Sequence, residues 1–205
     1  MILLFLSLSL FAAAGPASAP AAAPQTQADE YTRYELLGPE TSSFRVVYDV
    51  TATSAGATRY FNPIRKGSEA SRESVSDRMT GEALKFEVVS AEDARATGLA
   101  DAEAGTQYIR VALPRPVPAG GQVRLRIDKT YRDPVSYFRE GDEIVFTRSL
   151  GIKRNTIVLP AGYELIRCNM PSQVLTEVGG RIAVDFVNSN PEAATLSVRA
   201  RRMPQ

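Results

Sequence analysis

Residues 122–131 alternate with a period of two. Val123, Leu125, Ile127 and Tyr131 fall on one side, and Gln122, Arg124, Arg126, Asp128 and Thr130 on the other. A strand with one face on a core and one in water is the expected element. Residues 43–53 alternate in the same way, with Phe44, Val46, Tyr48 and Val50 set against Arg45, Val47, Asp49 and Thr51, in a stretch rich in β-branched and aromatic side chains. Residues 31–37 make a shorter strand that ends at Gly38-Pro39. Residues 58–62 are expected to run back beside 43–53 after a turn at Gly56. Residues 67–81 are polar, with Val75 and Met79 at helical spacing, so a short strand around Val75 and a single helical turn stand as alternatives there.

Residues 83–90 form the next strand, with Leu84, Phe86 and Val88 expected inward. A single helical turn should follow over residues 91–96, capped by Ser90 and closed near Gly98. Residues 107–113 are again extended and lead into Pro114, Pro116, Pro118 and Gly120-Gly121. Alternation on both sides of this proline-rich turn favours a long hairpin over an interdomain linker. Beyond Asp133-Pro134 come seven short strands, at 137–138, 143–148, 156–159, 163–168, 174–178, 181–187 and 195–201. Gly141-Asp142, Gly151, Pro160-Ala161-Gly162, Pro171, Gly179-Gly180 and Asn190-Pro191 punctuate them. Short strands so punctuated, with no 3.6-period segment of helical length, indicate an all-β antiparallel β-sandwich of immunoglobulin-like type. Two small tandem subdomains are expected, at residues 31–133 and 134–205, with one larger sandwich as the alternative.

The apolar run from Met1 to Ala14 changes the picture of location. It has the length of an export signal and is too short for a membrane anchor. A signal peptide over residues 1–19 is expected, with cleavage between 14 and 28, followed by a flexible Ala/Pro-rich leader over 20–30. The mature chain is therefore expected to be periplasmic or secreted, with no integral membrane segment.

Composition excludes much chemistry. The 205 residues hold no histidine, so they supply no Ser-His-Asp or Cys-His pair, no histidine zinc site and no imidazole acid or base. A single cysteine, Cys168, rules out an internal disulfide and a cysteine metal cluster, and it reads as a small packed residue in a strand. A formal net charge of +1 with scattered basic residues gives no footprint for nucleic acid. Twenty of the 24 basic residues are arginine; the forks suit carboxylate or phosphate partners, but a GC-rich genome produces the same bias and is the simpler reading.

The candidate chemistry that remains is sparse. Asp101 with Glu103, and Glu140 with Asp142 and Glu143, are the only acidic groupings with calcium or glycosidase potential; solvated turn residues are the simpler reading. Tyr131, Tyr137, Phe138, Phe146 and Tyr163, flanked by Arg132 and Arg139, suggest either a ligand platform or core aromatics, and the core is favoured. Arg148, Lys153 and Arg154 around Gly151 could grip an anion or simply make a charged hairpin loop. No catalytic, cofactor-binding or metal-binding residue is assigned.

The run from Leu113 through Pro114, Pro116, Pro118 and Gly120 into Val123-Arg-Leu-Arg-Ile-Asp-Lys-Thr-Tyr131 resembles the strand-turn-strand of the non-catalytic N-terminal β-sandwich of zinc aminopeptidases, over about a tenth of the chain. The whole chain also looks like secreted bacterial β-sandwich proteins of uncharacterised function. The resemblance implies a fold; the peptidase activity it would carry needs zinc-binding histidines that are absent. The expected function is an exported, non-catalytic binding or accessory module for a protein or extracellular ligand, with no cofactor. The alternatives are a hydrolase using Glu140, Asp142, Glu143 and Tyr137, and a structural subunit joined by β-strand addition at a sheet edge.

Overall fold

The computed structural model describes residues 24–204. The signal-peptide segment 1–19 and residues 20–23 of the leader lie outside them. The regular structure of the described chain is nearly all strand, as the alternation predicts. Fourteen strands make three sheets.

A seven-stranded sheet forms the base. It contains β1 (Gln27–Leu36), β2 (Ser43–Ala52), β4 (Glu69–Asp77), β7 (Val123–Arg132), β10 (Arg154–Val158), β12 (Ser172–Thr176) and β13 (Ile182–Val187), in the order β12-β13-β10-β1-β2-β7-β4. Two smaller sheets supply its cover. One has the order β3-β6-β5, from Arg59–Ile64, Gln107–Ala112 and Phe86–Val89. The other has the order β11-β14-β9-β8, from Tyr163–Cys168, Ala194–Arg202, Glu143–Leu150 and Tyr137–Glu140. All pairings are antiparallel except β1 with β10, which run parallel.

β7 shows why the sequence folds this way. Its odd positions Val123, Leu125, Ile127 and Tyr131 are at most 3% exposed, while the even positions carry arginine, aspartate and threonine outward. Phe44 sits at the centre of the core, edge-on to Phe146 (5.3 Å between ring centres), Tyr34 (6.0 Å) and Tyr131 (6.1 Å). Edge-to-face packing of this kind adds about 0.5–1.5 kcal/mol per pair beyond the area buried. Phe146 follows Asp133-Pro134 in the chain and Phe44 precedes it, so this cluster joins side chains from both halves.

Several local expectations are corrected. β1 begins at Gln27 rather than Tyr31, because the polar residues of the supposed leader pair their backbone with β2, Gln27 opposite Ala52. The segment 67–81 resolves as strand β4, and Val75 is buried on it. β3 does not return beside β2; it crosses to the small sheet and pairs with β6. The proline-rich turn is likewise no hairpin: β6 pairs with β3 and β5, and β7 with β2 and β4. Its three prolines carry the chain from one sheet to the other, pinned by Val117 N–H to the Ala57 carbonyl and Gly56 N–H to the Val117 carbonyl. In β5 the facing is reversed: Val89 is buried, whereas Phe86 and Val88 are 37% and 45% exposed.

The short helix α1 (Ala91–Ala96) forms as predicted. Ser90 Oγ accepts from the Asp93 N–H at 3.1 Å, a cap that contributes about 1 kcal/mol. Gly98 follows with φ of +127°, a conformation that other side chains rarely adopt. α1 lays Ala91 and Ala94 on Phe61 and Tyr108, a second small core behind the three-stranded sheet.

Candidate functional site

The two covering sheets leave a gap between them, and the base sheet forms its floor. The resulting cleft has a volume of about 540 Å³. β1, β2 and β7 contribute the floor with Tyr34, Tyr48 and Lys129. One wall comes from β3 and the segment after it, and the other from the chain leaving β9, residues 148–152.

Lys129 is the unexpected residue. It occupies the inward phase of β7, between Ile127 and Tyr131, and is 3% exposed. The opposing edge strand is distorted at the same level. β4 passes from Ser71 opposite Thr130 to Ser74 opposite Asp128, so Arg72 and Glu73 together face Lys129 in a bulge, and Arg72 takes φ of +55°. Bulges with a left-handed non-glycine residue are often found where a side chain must be aimed.

The Lys129 amine has only neutral partners. Nζ donates to Asn62 Oδ1 at 2.5 Å and to the Pro63 carbonyl at 3.5 Å, and it lies 5.0 Å from the centre of the Tyr131 ring. Burial pushes the amine down to about 7, nearby Arg148 pushes the same way, and Glu73 opposes weakly. An amine poised there can serve as hydrogen-bond donor, proton acceptor or nucleophile near neutral pH.

Arg148 is the second buried cation, also on an inward position, in β9. Its guanidinium lies 5.3 Å from the ring centre of Phe44, 5.4 Å from Tyr131 and 5.8 Å from Tyr34. Nη1 donates to Asp133 Oδ2 at 3.1 Å. Burial pushes the Asp133 carboxyl up, but Ser136 through its hydroxyl and N–H, the Ser68 hydroxyl and Arg148 outweigh it and hold the group below the usual carboxylate range. At the mouth, Arg65 donates to the Ser149 carbonyl at 3.0 Å.

The other end of the cleft is acidic and already engaged. The Tyr48 hydroxyl donates to Glu30 Oε1 at 2.5 Å, Gln27 Nε2 donates to the same oxygen at 2.9 Å, and the Tyr60 hydroxyl donates to Gln27 Oε1 at 2.8 Å. Gln25 acts as a short extra strand edge, donating to the Phe61 carbonyl and accepting from the Phe61 N–H.

The residues singled out in the sequence do not assemble into a site. Tyr131, Tyr137, Phe146 and Tyr163 are core side chains, and only Tyr131 reaches the cleft. The Tyr137 hydroxyl donates to the Leu37 carbonyl, Phe138 is half-buried, and Arg132 and Arg139 are exposed. Glu140 and Glu143 both pair with Arg199, Asp142 is exposed, and none of them lines the cleft. Glu103 pairs with Lys66; Asp101 lies exposed at the cleft rim.

The three cations around Gly151 separate. Arg148 points into the core, Lys153 reaches the Asn190 carbonyl, and Arg154 donates to the Asp29 and Glu30 carbonyls. Cys168 is half-buried against the core. Among the described residues no group of three or more His, Cys, Asp or Glu side chains could hold a metal ion, and no helix is long and apolar enough to cross a membrane.

Lys129 and Arg148 were missed as members of one site, although each carries a signal. Both are cations in the apolar phase of an otherwise alternating strand, where only burial or function retains them.

No family model and no curated protein matches the chain. Solved structures do. The M1 zinc metallopeptidase from Deinococcus radiodurans is similar with a TM-score of 0.51 and 12% identity over 84% of this chain. A mutant two-domain M1 zinc metallopeptidase bound to L-arginine is similar with a TM-score of 0.50 and 13% identity over the same share. The chain spans 41% of the length of each of these peptidases. At this identity the likeness concerns the fold. It reaches far beyond the strand-turn-strand around Leu113–Tyr131 that first suggests it.

Proposed function

We propose that the chain is an exported, non-catalytic accessory module of β-sandwich type that holds a small anionic ligand in the cleft floored by Lys129. The observation that carries this reading is a pair of cations at one end of the cleft, Lys129 and Arg65, whose hydrogen bonds go to neutral oxygens. An exposed arginine at the mouth and a buried amine that an anion would hold protonated, neither bonded to a carboxylate, favour an anion between them. Apolar walls from Phe61, Leu99, Leu150 and Ile152 would take the body of such a ligand.

The accessory role is supported by the likeness to part of a peptidase fold in a sequence without histidine. Export is supported by the apolar opening of the sequence. The binding test is titration with 4-methylpentanoate, a branched carboxylate small enough for the cleft. Saturable binding that K129M weakens at least tenfold is expected; no saturation at millimolar ligand, or equal binding by K129M, defeats the reading. For export, the expected finding is a periplasmic or medium fraction whose first residue lies between 15 and 29. A product kept in the cytoplasm with Met1 intact defeats that half.

A further inference from the structure

We propose that Lys129 captures the carbonyl of a small 2-oxo acid as an imine inside this cleft, with Arg65 at the mouth receiving the ligand's carboxylate. The proposal rests on the reading of the cleft as an anion site and adds the class of ligand and the bond that holds it.

The geometry separates Lys129 from every other amine among the side chains. Lys66 is half exposed and paired with Glu103, Lys85 is exposed, and Lys153 lies exposed on the Asn190 carbonyl. Lys129 is the one lysine that lines the cleft, with its nitrogen held by a side-chain amide oxygen, a backbone carbonyl and a ring face. None of these fixes the amine as ammonium in the way a carboxylate would.

Charged and titratable groups face the amine from several elements. β9 brings Arg148, and the chain after β3 brings Arg65. The β4 bulge brings Glu73, whose influence on Lys129 is the smallest of the three resolved. β1 brings Tyr34 and Glu30, and the Glu30 carboxylate is taken by Tyr48 and Gln27. β7 itself brings Tyr131, and Asp101 sits exposed on the rim. Desolvation next to another cation is the setting that keeps a lysine neutral and nucleophilic at neutral pH.

The step balances without any oxidant or cofactor. The Nζ lone pair attacks the ketone carbon, and the C=O electron pair moves to oxygen to give a carbinolamine. The nitrogen loses its protons to that oxygen, which leaves as water as the C=N bond forms. Hydrolysis reverses the sequence and releases the ligand unchanged. A ligand of this class offers a carboxylate for Arg65 and a ketone for Lys129 on adjacent carbons, and a cleft of about 540 Å³ encloses its side chain.

The test uses the whole chain with 4-methyl-2-oxopentanoate and cyanoborohydride at pH 7, followed by peptide mapping. The expected result is a stable adduct on Lys129, heavier by the keto acid less one oxygen. Lys66, Lys85 and Lys153 should be labelled at least a hundredfold more slowly, since ordinary lysines are about a thousandfold poorer in neutral amine at this pH. Unlabelled 4-methylpentanoate should slow the reaction on Lys129, and K129M, checked for native far-ultraviolet circular dichroism, should lose the adduct. Adduct spread over the three exposed lysines, with Lys129 bare, overturns the imine; if 4-methylpentanoate still binds saturably, the cleft reading survives it. Absence of both adduct and binding overturns both.

Discussion

Arg148 Nη1 and Asp133 Oδ2 meet at 3.1 Å with side chains 5% and 6% exposed, tying β9 to the residue that follows β7. The pair is embedded: Asp133 also accepts from Ser68 and Ser136, and Arg148 lies against three aromatic rings. Removing one member of a buried pair leaves an uncompensated charge, which costs about 3–5 kcal/mol. D133A should therefore unfold at markedly lower urea concentration. R148M should cost less, because its thioether still packs on the rings and Asp133 keeps its hydroxyl and N–H donors.

The same carboxylate sets a pH dependence. Its folded value is lowered, so the stability it contributes is present above the ordinary carboxylate range and is lost as pH falls through the folded value. The wild-type melting temperature should drop steeply below about pH 3.8, the ordinary aspartate range. D133N should lack that part of the drop, as scanning calorimetry between pH 2 and 6 would show.

Lys129 acts in the same direction over a higher range, as a cost relieved when pH rises. Its folded value is lowered from 10.5 to about 7, so between these values the unfolded chain binds more protons than the folded one. Stability from this group therefore rises as pH increases from 7 toward 10.5. Below 7 the folded protein bears the full cost of a buried ammonium. K129M should raise stability by roughly 1–4 kcal/mol near pH 6 and by much less at pH 10. A gain independent of pH would show that Lys129 is charged, or solvated, throughout.

The acidic turn of β8 and β9 makes a third case. Arg199 bonds both Glu140 and Glu143, which leaves only the exposed Asp142 as a carboxylate without such a partner in this turn. Calcium at millimolar concentration, or its removal with EDTA, should leave the melting temperature unchanged. R199A, which frees both glutamates at a solvated surface, should cost under about 1 kcal/mol.

Legibility differed by the kind of information asked for. Alternation at Val123, Leu125 and Ile127 reveals which side chains are buried, and those positions are buried. It does not reveal the neighbour, because pairing is decided by non-local packing: β6 and β7 are consecutive in the chain yet belong to different sheets. Phe86 and Val88 mislead for a related reason, since a strand at the edge of a small sheet can leave its larger side chains half exposed. Gln25, Gln27 and Glu30 read as leader because they are polar, whereas their amides and carboxylate complete the cleft. The cleft was legible only as an anomaly, a lysine and an arginine where alternation calls for an apolar residue.

Cutting the chain at Asp133-Pro134 tests how far the two halves depend on one another. Residues 31–133 would keep β2, β4 and β7 of the base sheet but lose β10, the parallel partner of β1 from Tyr31 to Glu35. They would also lose Phe146, which covers Phe44 and Tyr34, and the Arg148 that pairs with Asp133. The complementary fragment 134–205 would keep the four-stranded sheet and the β12-β13-β10 ribbon without the strand on which that ribbon is built. Exposing Phe44, Tyr34 and Tyr131 together forfeits about 1.5–3 kcal/mol for each side chain, comparable in sum to the whole stability of a domain. Neither fragment should show a cooperative urea transition alone, and the intact chain should show one transition by both tyrosine fluorescence and far-ultraviolet circular dichroism. Two separable transitions, or a fragment with native-like dispersion in its proton NMR spectrum, would mean that each half closes its own core.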